Sequence, residues 1–545
     1  MDITPASFSG TPRSRSRSRT RNSTANSRST SSNRRPSLGS RRSLSSSSLT
    51  KLSVVPTNVD DAVVPSVQAT LDNSLPLDFF KQDIWALIKT LKIGKWHKKQ
   101  LDPKNIQVNR ISGALTNSIY KIEYRDGYIK IPSLLLRVYG KNVDEIIDRE
   151  SELEVLIKLC LKRIGPKLLG IFTNGRFEQF LEGFVTLTKE EIRHEVISQM
   201  LGRRMKDLHY KIQLEYKDYK DNVPMCWKLI SKWLQIYETD LRQNFLQHGI
   251  KDEDIFLTEY EVFKAKVFEY RDWLFTKYER TGFASNFKFC HNDTQYGNLL
   301  LHESFNPGDI IVGEGTSTGV KNTSNKRDTS LVVIDFEYGG ANFPAFDLVN
   351  HFSEWMANYH DPEKSYFLDE SRYPTKLEQL NLIKAYIEYD FQYPSSNLKV
   401  DSEPDITKVT PAELIEFEIK KIYDECVFWR ASVQVYWCIW GLIQNGPFKQ
   451  KDIVEQLGAT SLERGVDGTY TITTGLTSVE LNESTIEDEI TSADDEFNYI
   501  KYSQQKAALA IGDFISHGLF DQSSLSPQCQ HLVKTLDSSV FGPLE

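Results

Sequence analysis

The pattern of apolar residues shifts near Leu181, from short alternating segments with two helical stretches among them to long helical runs, and that shift constrains the fold more than any other feature. Before it, short segments alternate apolar with polar residues; beyond it, apolar residues recur every three or four. A period of two calls for strands and a period near 3.6 for helices, so the expectation is α+β, a small antiparallel-sheet lobe followed by a large, mostly helical one. "PLDFFKQDIWALIKTLKI" opens the first part with a helix facing inward through Phe79, Ile84, Leu87, Ile88 and Leu91. "NRISGALTNSIYKIEYRDG" reads as a hairpin, because Tyr120, Ile122 and Tyr124 alternate with Lys121 and Glu123 and "RDG" supplies a turn. "IPSLLLRVYG" is a strand with Arg137 as its one charge, and "NVDEIIDRESELEVLIKLCLKRIGPK" is a helix ended by Gly165-Pro166. "KLLGIFTNGRFEQFLEG" is a hairpin over Asn174-Gly175, a pair suited to a type I′ turn. A hinge falls near Gln179 to Gly183. Beyond it "TKEE", Thr188 to Glu191, is a capping box opening a helix, and amphipathic segments follow around 189–210, 224–246 and 256–279. The expected division is a tail over 1–75, a sheet lobe over 76–182 and a helical lobe over 183–545. Polar, low-complexity insertions interrupt the last at 306–330 and 447–494.

Charge separates the tail from the rest. Residues 1–50 hold ten Arg, no Lys and one acid, about +9, whereas the whole chain carries −8, leaving about −17 elsewhere. A Ser/Arg-rich segment with so few large apolar groups is expected to be disordered. "RRPS" and "RRS" place Ser37 and Ser43 at sites suited to regulatory protein kinases that read basic residues. The negative remainder repels phosphate backbones, so nucleic acid is not an expected partner. No run of about 18 apolar residues marks a transmembrane segment, and no apolar stretch marks a secretory signal near the start. Six scattered cysteines without a C-x-x-C pair suit a reducing compartment, and a cytoplasmic protein is expected.

Two short apolar runs break into acids. "NFKFCHNDTQYGNLLLHE" spaces His291, Asp293 and Asn298 as H-x-D-x-x-x-x-N, and "LVVIDFEYGG" ends its apolar run at Asp335. Phosphoryl transfer uses such a set: one carboxylate to orient a hydroxyl and take its proton, and an amide with a second carboxylate to hold Mg²⁺. Taken singly, each acid also fits an ordinary turn or cap.

"FCHNDTQYGNLL", "VIDFEYGGANFPAFDLVNHFSEW" and "RYPTKLEQL", with "LLLRVYG", "IGPKLLGIF" and "FEQFLEG", resemble the choline/ethanolamine kinase family. The likeness runs from roughly 78 to 520 and excludes the tail and both insertions. It implies a protein-kinase-like two-lobed fold, ATP and Mg²⁺ as cofactors, and a homodimer. It makes Asp293 the catalytic base, Asn298 and Asp335 the metal ligands, Gln295 a helper at the phosphates and His291 a brace for the loop. Arg137 would stand where protein kinases carry their strand lysine, paired with Glu150 or Glu152, with Glu152 slightly preferred. Ser112, Gly113, Thr116 and Asn117 would cradle phosphates, although with one glycine this loop also reads as an ordinary hairpin. Gln179 and Leu181 would meet adenine at the hinge.

The resemblance also gives the aromatics a use. Tyr338, Trp355, Tyr359, Trp437, Trp440, Phe497 and Tyr502, with Glu354, would form a cage for choline. Trp437 and Trp440, three apart on one helical face, fit core packing equally well when read alone. A quaternary ammonium has no N–H to donate, whereas ring faces attract it. The implied activity is phosphorylation of the choline hydroxyl to phosphocholine, for phosphatidylcholine synthesis. The alternatives are an ethanolamine or dual-specificity kinase and a catalytically silent kinase-like binding module. Keeping Asp293, Asn298, Asp335 and Arg137 together argues against the silent module.

Overall fold

The computed structural model describes residues 64–111, 117–139, 149–162, 164–278, 284–305, 328–389, 408–448, 461–464, 470–473 and 497–542. Ser112, Gly113, Thr116, the side chains of Asn117 and Glu150, and residues 1–63 lie outside the described residues.

The alternating segments form one sheet. Its strands are β1 (Ser66–Val67), β2 (Ile106–Ile111), β3 (Asn117–Tyr124), β4 (Leu134–Tyr139), β5 (Leu168–Phe172) and β6 (Gly175–Gln179), in the order β1-β5-β6-β4-β3-β2. Every pairing is antiparallel except β1 with β5, which is parallel. The helix Leu77–Thr90 lays Phe80, Ile84, Leu87 and Ile88 against Ile106, Ile122, Leu136 and Phe177. Phe79, expected inside, is 37% exposed, and its neighbour Phe80 takes the inward position. The helix Arg149–Lys162 packs through Ile157 on Leu168 and Ile171.

Two expectations about this lobe need correction. The lobe begins before residue 76: Val64, Val67, Ala69 and Leu71 are buried, and β1 lies inside the stretch assigned to the tail. "VVPSVQATL" is too short and too broken by Pro65 to show a period. The β5–β6 loop is Thr173-Asn174, since Phe172 pairs with Gly175. Gly175 is already in the strand, where a β-carbon would strike the Arg137 carbonyl oxygen and the Phe172 ring. Asn174 instead ties down the N-terminal segment: its Oδ1 accepts from Leu71 N at 2.9 Å and its Nδ2 donates to Leu71 O at 2.8 Å.

After β6 the chain turns at Gly183, whose φ of 74° suits glycine, into β7 (Phe184–Thr186). β7 pairs with β9 (Leu299–His302), which pairs with β10 (Leu331–Val333). β8 (Lys288–Cys290) and β11 (Gly340–Asn342) make a second small ladder. These ladders hold the two acidic segments against the helical lobe.

The helical core centres on Pro411–Asn445, which packs against Pro344–Glu354 and Tyr499–Ser516. This 35-residue helix is apolar and long enough to cross a bilayer, but its most apolar stretch is mostly buried inside the lobe. The capping box at Thr188 and Glu191 forms, yet it opens only the short turn Glu191–Arg193. The long helix starts at Glu195, capped by His194. The insertion expected at 306–330 ends earlier, because Asp328 is buried and binds Arg203 through two bonds of 2.8 and 2.9 Å. Inside 447–494, β12 (Ser461–Arg464) and β13 (Tyr470–Thr473) pair as an antiparallel ladder, which the polar composition concealed.

Candidate active site

β8 delivers His291 and Asp293 into a tight loop before the turn Tyr296–Asn298 and β9. Asn298 Nδ2 donates to both Asp293 O, at 2.9 Å, and Asp293 Oδ2, at 2.8 Å. The five-residue spacing therefore lets the amide fold back onto the acid. Both His291 nitrogens are engaged: Nε2 donates to Ile334 O at 2.8 Å, and Nδ1 accepts from Asp293 N at 3.2 Å. This links the loop to the segment carrying Asp335. Gln295 caps its own turn, its Oε1 accepting from Gly297 N at 2.8 Å.

The loop's backbone is held by Asp347, a residue the sequence reading did not single out. Asp347 is fully buried on Pro344–Glu354 and accepts from His291 N at 2.9 Å and Asn292 N at 2.8 Å. His209 Nε2 adds a third donor at 3.0 Å. Burial opposes the charge on Asp347, but His209 and then His291 outweigh it and hold the carboxyl below its ordinary range. Asn292 adopts φ 66° and donates through Nδ2 to Tyr338 O, tying the loop to the cage.

Asp335 follows β10 in a left-handed conformation, φ 65°. Arg137 Nη1 lies 2.9 Å from Asp335 Oδ1, so the first lobe's basic strand reaches the second lobe's acid directly. Burial would raise the Asp335 pKa, but Arg137 and then Arg176 keep it below the usual carboxylate range. The charges continue inward. Glu178 lies 3.9 Å from Arg137 Nε and 2.5 Å from Arg176 Nε, and Arg176 Nη1 lies 2.8 Å from Glu152. Glu152 thus joins the network through Arg176, a residue not foreseen because "GRFEQ" reads as an ordinary hairpin strand.

Asp293 shows the opposite shift. Burial, followed by the negative charges of Glu354, Glu337 and Asp335, holds it well above the ordinary range, and the Asn298 bond opposes this only partly. A carboxylate so placed readily accepts a proton.

Three segments meet in an aromatic cluster. Tyr338 and Trp437 stand 5.4 Å apart at 73°, Trp437 and Trp440 5.1 Å at 81°, and Trp440 and Tyr502 6.2 Å at 78°. Phe497 lies 5.4 Å from Tyr502 and 6.2 Å from Tyr359. The indole N–H groups are spent on positioning: Trp440 donates to Tyr338 Oη at 2.8 Å and Trp437 to Asn350 at 2.7 Å. Glu354 Oε2 accepts from Tyr359 Oη at 2.6 Å. Tyr499, 5.0 Å from Phe497, is a further member that the sequence reading missed. Trp355 does not belong to the cluster. It is 1% exposed, gives its N–H to His351 Nε2 at 3.0 Å, and has the Arg193 guanidinium 4.6 Å from its ring centre. At the hinge, Gln179 N donates to Lys167 O at 2.8 Å and Leu181 O accepts from Phe184 N at 3.4 Å.

A family model for choline/ethanolamine kinases matches residues 108–511, and one for the choline kinase N terminus matches 57–105. The chain is 37% identical over 508 residues to a choline kinase from Saccharomyces cerevisiae, covering 87% of this chain and 82% of that one. It is 31% identical over 479 residues to an ethanolamine kinase from the same yeast, covering 84% and 80%. A crystal structure of choline kinase from Cryptosporidium parvum Iowa II superposes with a TM-score of 0.52 at 18% identity, over 81% of this chain and 98% of that one, which supports the fold. The extent of the match, with the two-lobed arrangement, makes this chain a kinase of the choline/ethanolamine kinase family.

Proposed function

We propose that this kinase transfers the γ-phosphoryl group of ATP to the hydroxyl of choline, giving phosphocholine for phosphatidylcholine synthesis. The aromatic cluster of Tyr338, Trp437, Trp440, Phe497 and Tyr502 carries this reading, because it offers ring faces where a primary amine would call for hydrogen-bond acceptors. Each ring face in contact with a quaternary ammonium contributes about 0.5–2 kcal/mol. Ethanolamine is the second substrate, served less well because it fills less of the cage.

Asp293 orients the hydroxyl and takes its proton as the oxygen attacks the γ-phosphorus and the bond to the β-phosphate oxygen breaks, releasing ADP. Its raised pKa suits that acceptance. The donors for Mg²⁺ are chemically apt: Asp335 is ionised beside Arg137, and Asn298, with Nδ2 committed to Asp293, has its amide oxygen to offer. Held by these donors, Mg²⁺ would neutralise charge on the phosphates of ATP. Arg137 grips phosphate oxygens through its planar fork, aimed by Glu178, Arg176 and Glu152. Ser112, Gly113, Thr116 and Asn117 cradle the phosphates, and backbone groups near Gln179 and Leu181 meet adenine. The enzyme acts in the cytoplasm as a homodimer, with Ser37 and Ser43 as substrates of regulatory protein kinases.

The test is ³¹P NMR of the full-length protein incubated with Mg-ATP and choline, with Asp293→Asn as control. A phosphocholine resonance that the variant does not produce is the expected result. ATP left intact, or consumed without a phosphomonoester, would refute the reading.

A further inference from the structure

Beneath the aromatic cluster lies a charged group that no step above uses. Lys506 sits on Tyr499–Ser516 one turn after Tyr502, so both side chains leave the same helical face. It is fully buried. Its Nζ lies 3.7 Å from Glu354 Oε1 and 5.4 Å from the Tyr502 ring centre, and among the described residues it has no hydrogen-bond partner. The other Glu354 oxygen is already taken by Tyr359. Burial pushes the Lys506 amine below its ordinary value, with Glu354 and then Asp293 opposing. Leu or Met would fill this space without that desolvation cost, so packing alone does not account for a lysine here.

With Lys506 in place, one Glu354 oxygen faces a cation and the other accepts a hydroxyl. A primary ammonium binds best by donating N–H to an open carboxylate, a charge-assisted bond. A quaternary ammonium has no such proton and relies on ring faces and longer-range attraction. We infer that Lys506 is the positioning residue that sets amine selectivity, by occupying Glu354 so that the pocket presents ring faces in preference to an open carboxylate. This rests on the choline kinase reading above.

The experiment measures KM and kcat for choline and ethanolamine at saturating Mg-ATP, in the full-length wild type, Lys506→Met and Lys506→Arg. Lys506→Met is expected to lower the ethanolamine KM relative to the choline KM by roughly tenfold, the size of one freed charge-assisted bond. The KM for ATP stays constant, and Lys506→Arg keeps the wild-type ratio. Glu354→Gln, alone and with Lys506→Met, provides an independent arm in case the single lysine variant does not fold. Glu354→Gln leaves the lysine uncompensated and raises both amine KM values, and adding Lys506→Met brings the choline KM back down. Equal losses for both amines in Lys506→Met, or no recovery in the double variant, would overturn the role of Lys506 while leaving the choline reading intact. Turnover of neither amine by the wild type would overturn the choline reading itself.

Discussion

Asp293 sits under opposing influences: burial and three neighbouring carboxylates favour its proton, and one amide bond favours its charge. As proton acceptor it must be ionised before each turnover. Activity is therefore expected to rise with pH through a midpoint above the ordinary carboxylate range of about 4. Asp293→Asn is expected to lower kcat about 10²- to 10⁴-fold with little change in choline KM, checked by steady-state assay across pH. A change confined to KM would count against the assignment. In the cage, Trp440→Ala removes one ring face and the bond to Tyr338. It is expected to raise choline KM by roughly 3- to 30-fold, and ethanolamine KM by less. Asp293 and Asn298 were legible because their partnership is local, five residues apart. Asp347 was not: its partner His291 lies 56 residues away, and a lone acid in a helix looks solvated until the fold buries it. Trp355 was misassigned for the same reason, since Arg193 and His351 claim it only in the folded lobe.

The helix Pro344–Glu354 supports the site as an element. Besides Asp347 it carries His351, whose Nδ1 donates to Thr294 O at 2.8 Å while Nε2 accepts from Trp355. Burial pushes His351 down from 6.5 to about 4. The unfolded chain then binds this proton first, so stability is full above pH 6.5, falls as pH drops, and the loss is complete below about 4. The span corresponds to at most ~3 kcal/mol. Urea unfolding of wild type and His351→Gln between pH 7 and 4.5 checks this: the wild type should lose about 2–3 kcal/mol more than the variant, and parallel profiles would contradict it. At this scale the sequence was readable where a segment was long or strictly alternating, as in Tyr120, Ile122 and Tyr124. It was not readable for β1, two residues long beside a proline, nor for the start of the helix at Glu195, where His194 supplies a cap that the "TKEE" signal obscured.

Across the whole molecule, Arg137 and Asp335 join the sheet lobe to the helical lobe at the point where phosphate chemistry would occur. The two-lobed division was legible from the shift to long helical runs near Leu181, but its lower border was not, because Val67 and Leu71 gain their meaning from Asn174 and Phe172 far along the chain. Removing residues 1–56 is expected to leave kcat/KM within twofold. Extending the deletion to residue 72 strips β1 and four buried apolar side chains, Val64, Val67, Ala69 and Leu71, of which the Val and Leu residues contribute about 1.5–3 kcal/mol each, and should lower Tm by several degrees. Scanning calorimetry distinguishes the two, and equal Tm values would contradict the border. The central claim is tested most directly by kcat/KM for choline and ethanolamine measured side by side with Mg-ATP, through ADP release. The account predicts at least a tenfold preference for choline, whereas a preference for ethanolamine would contradict the aromatic-cage argument.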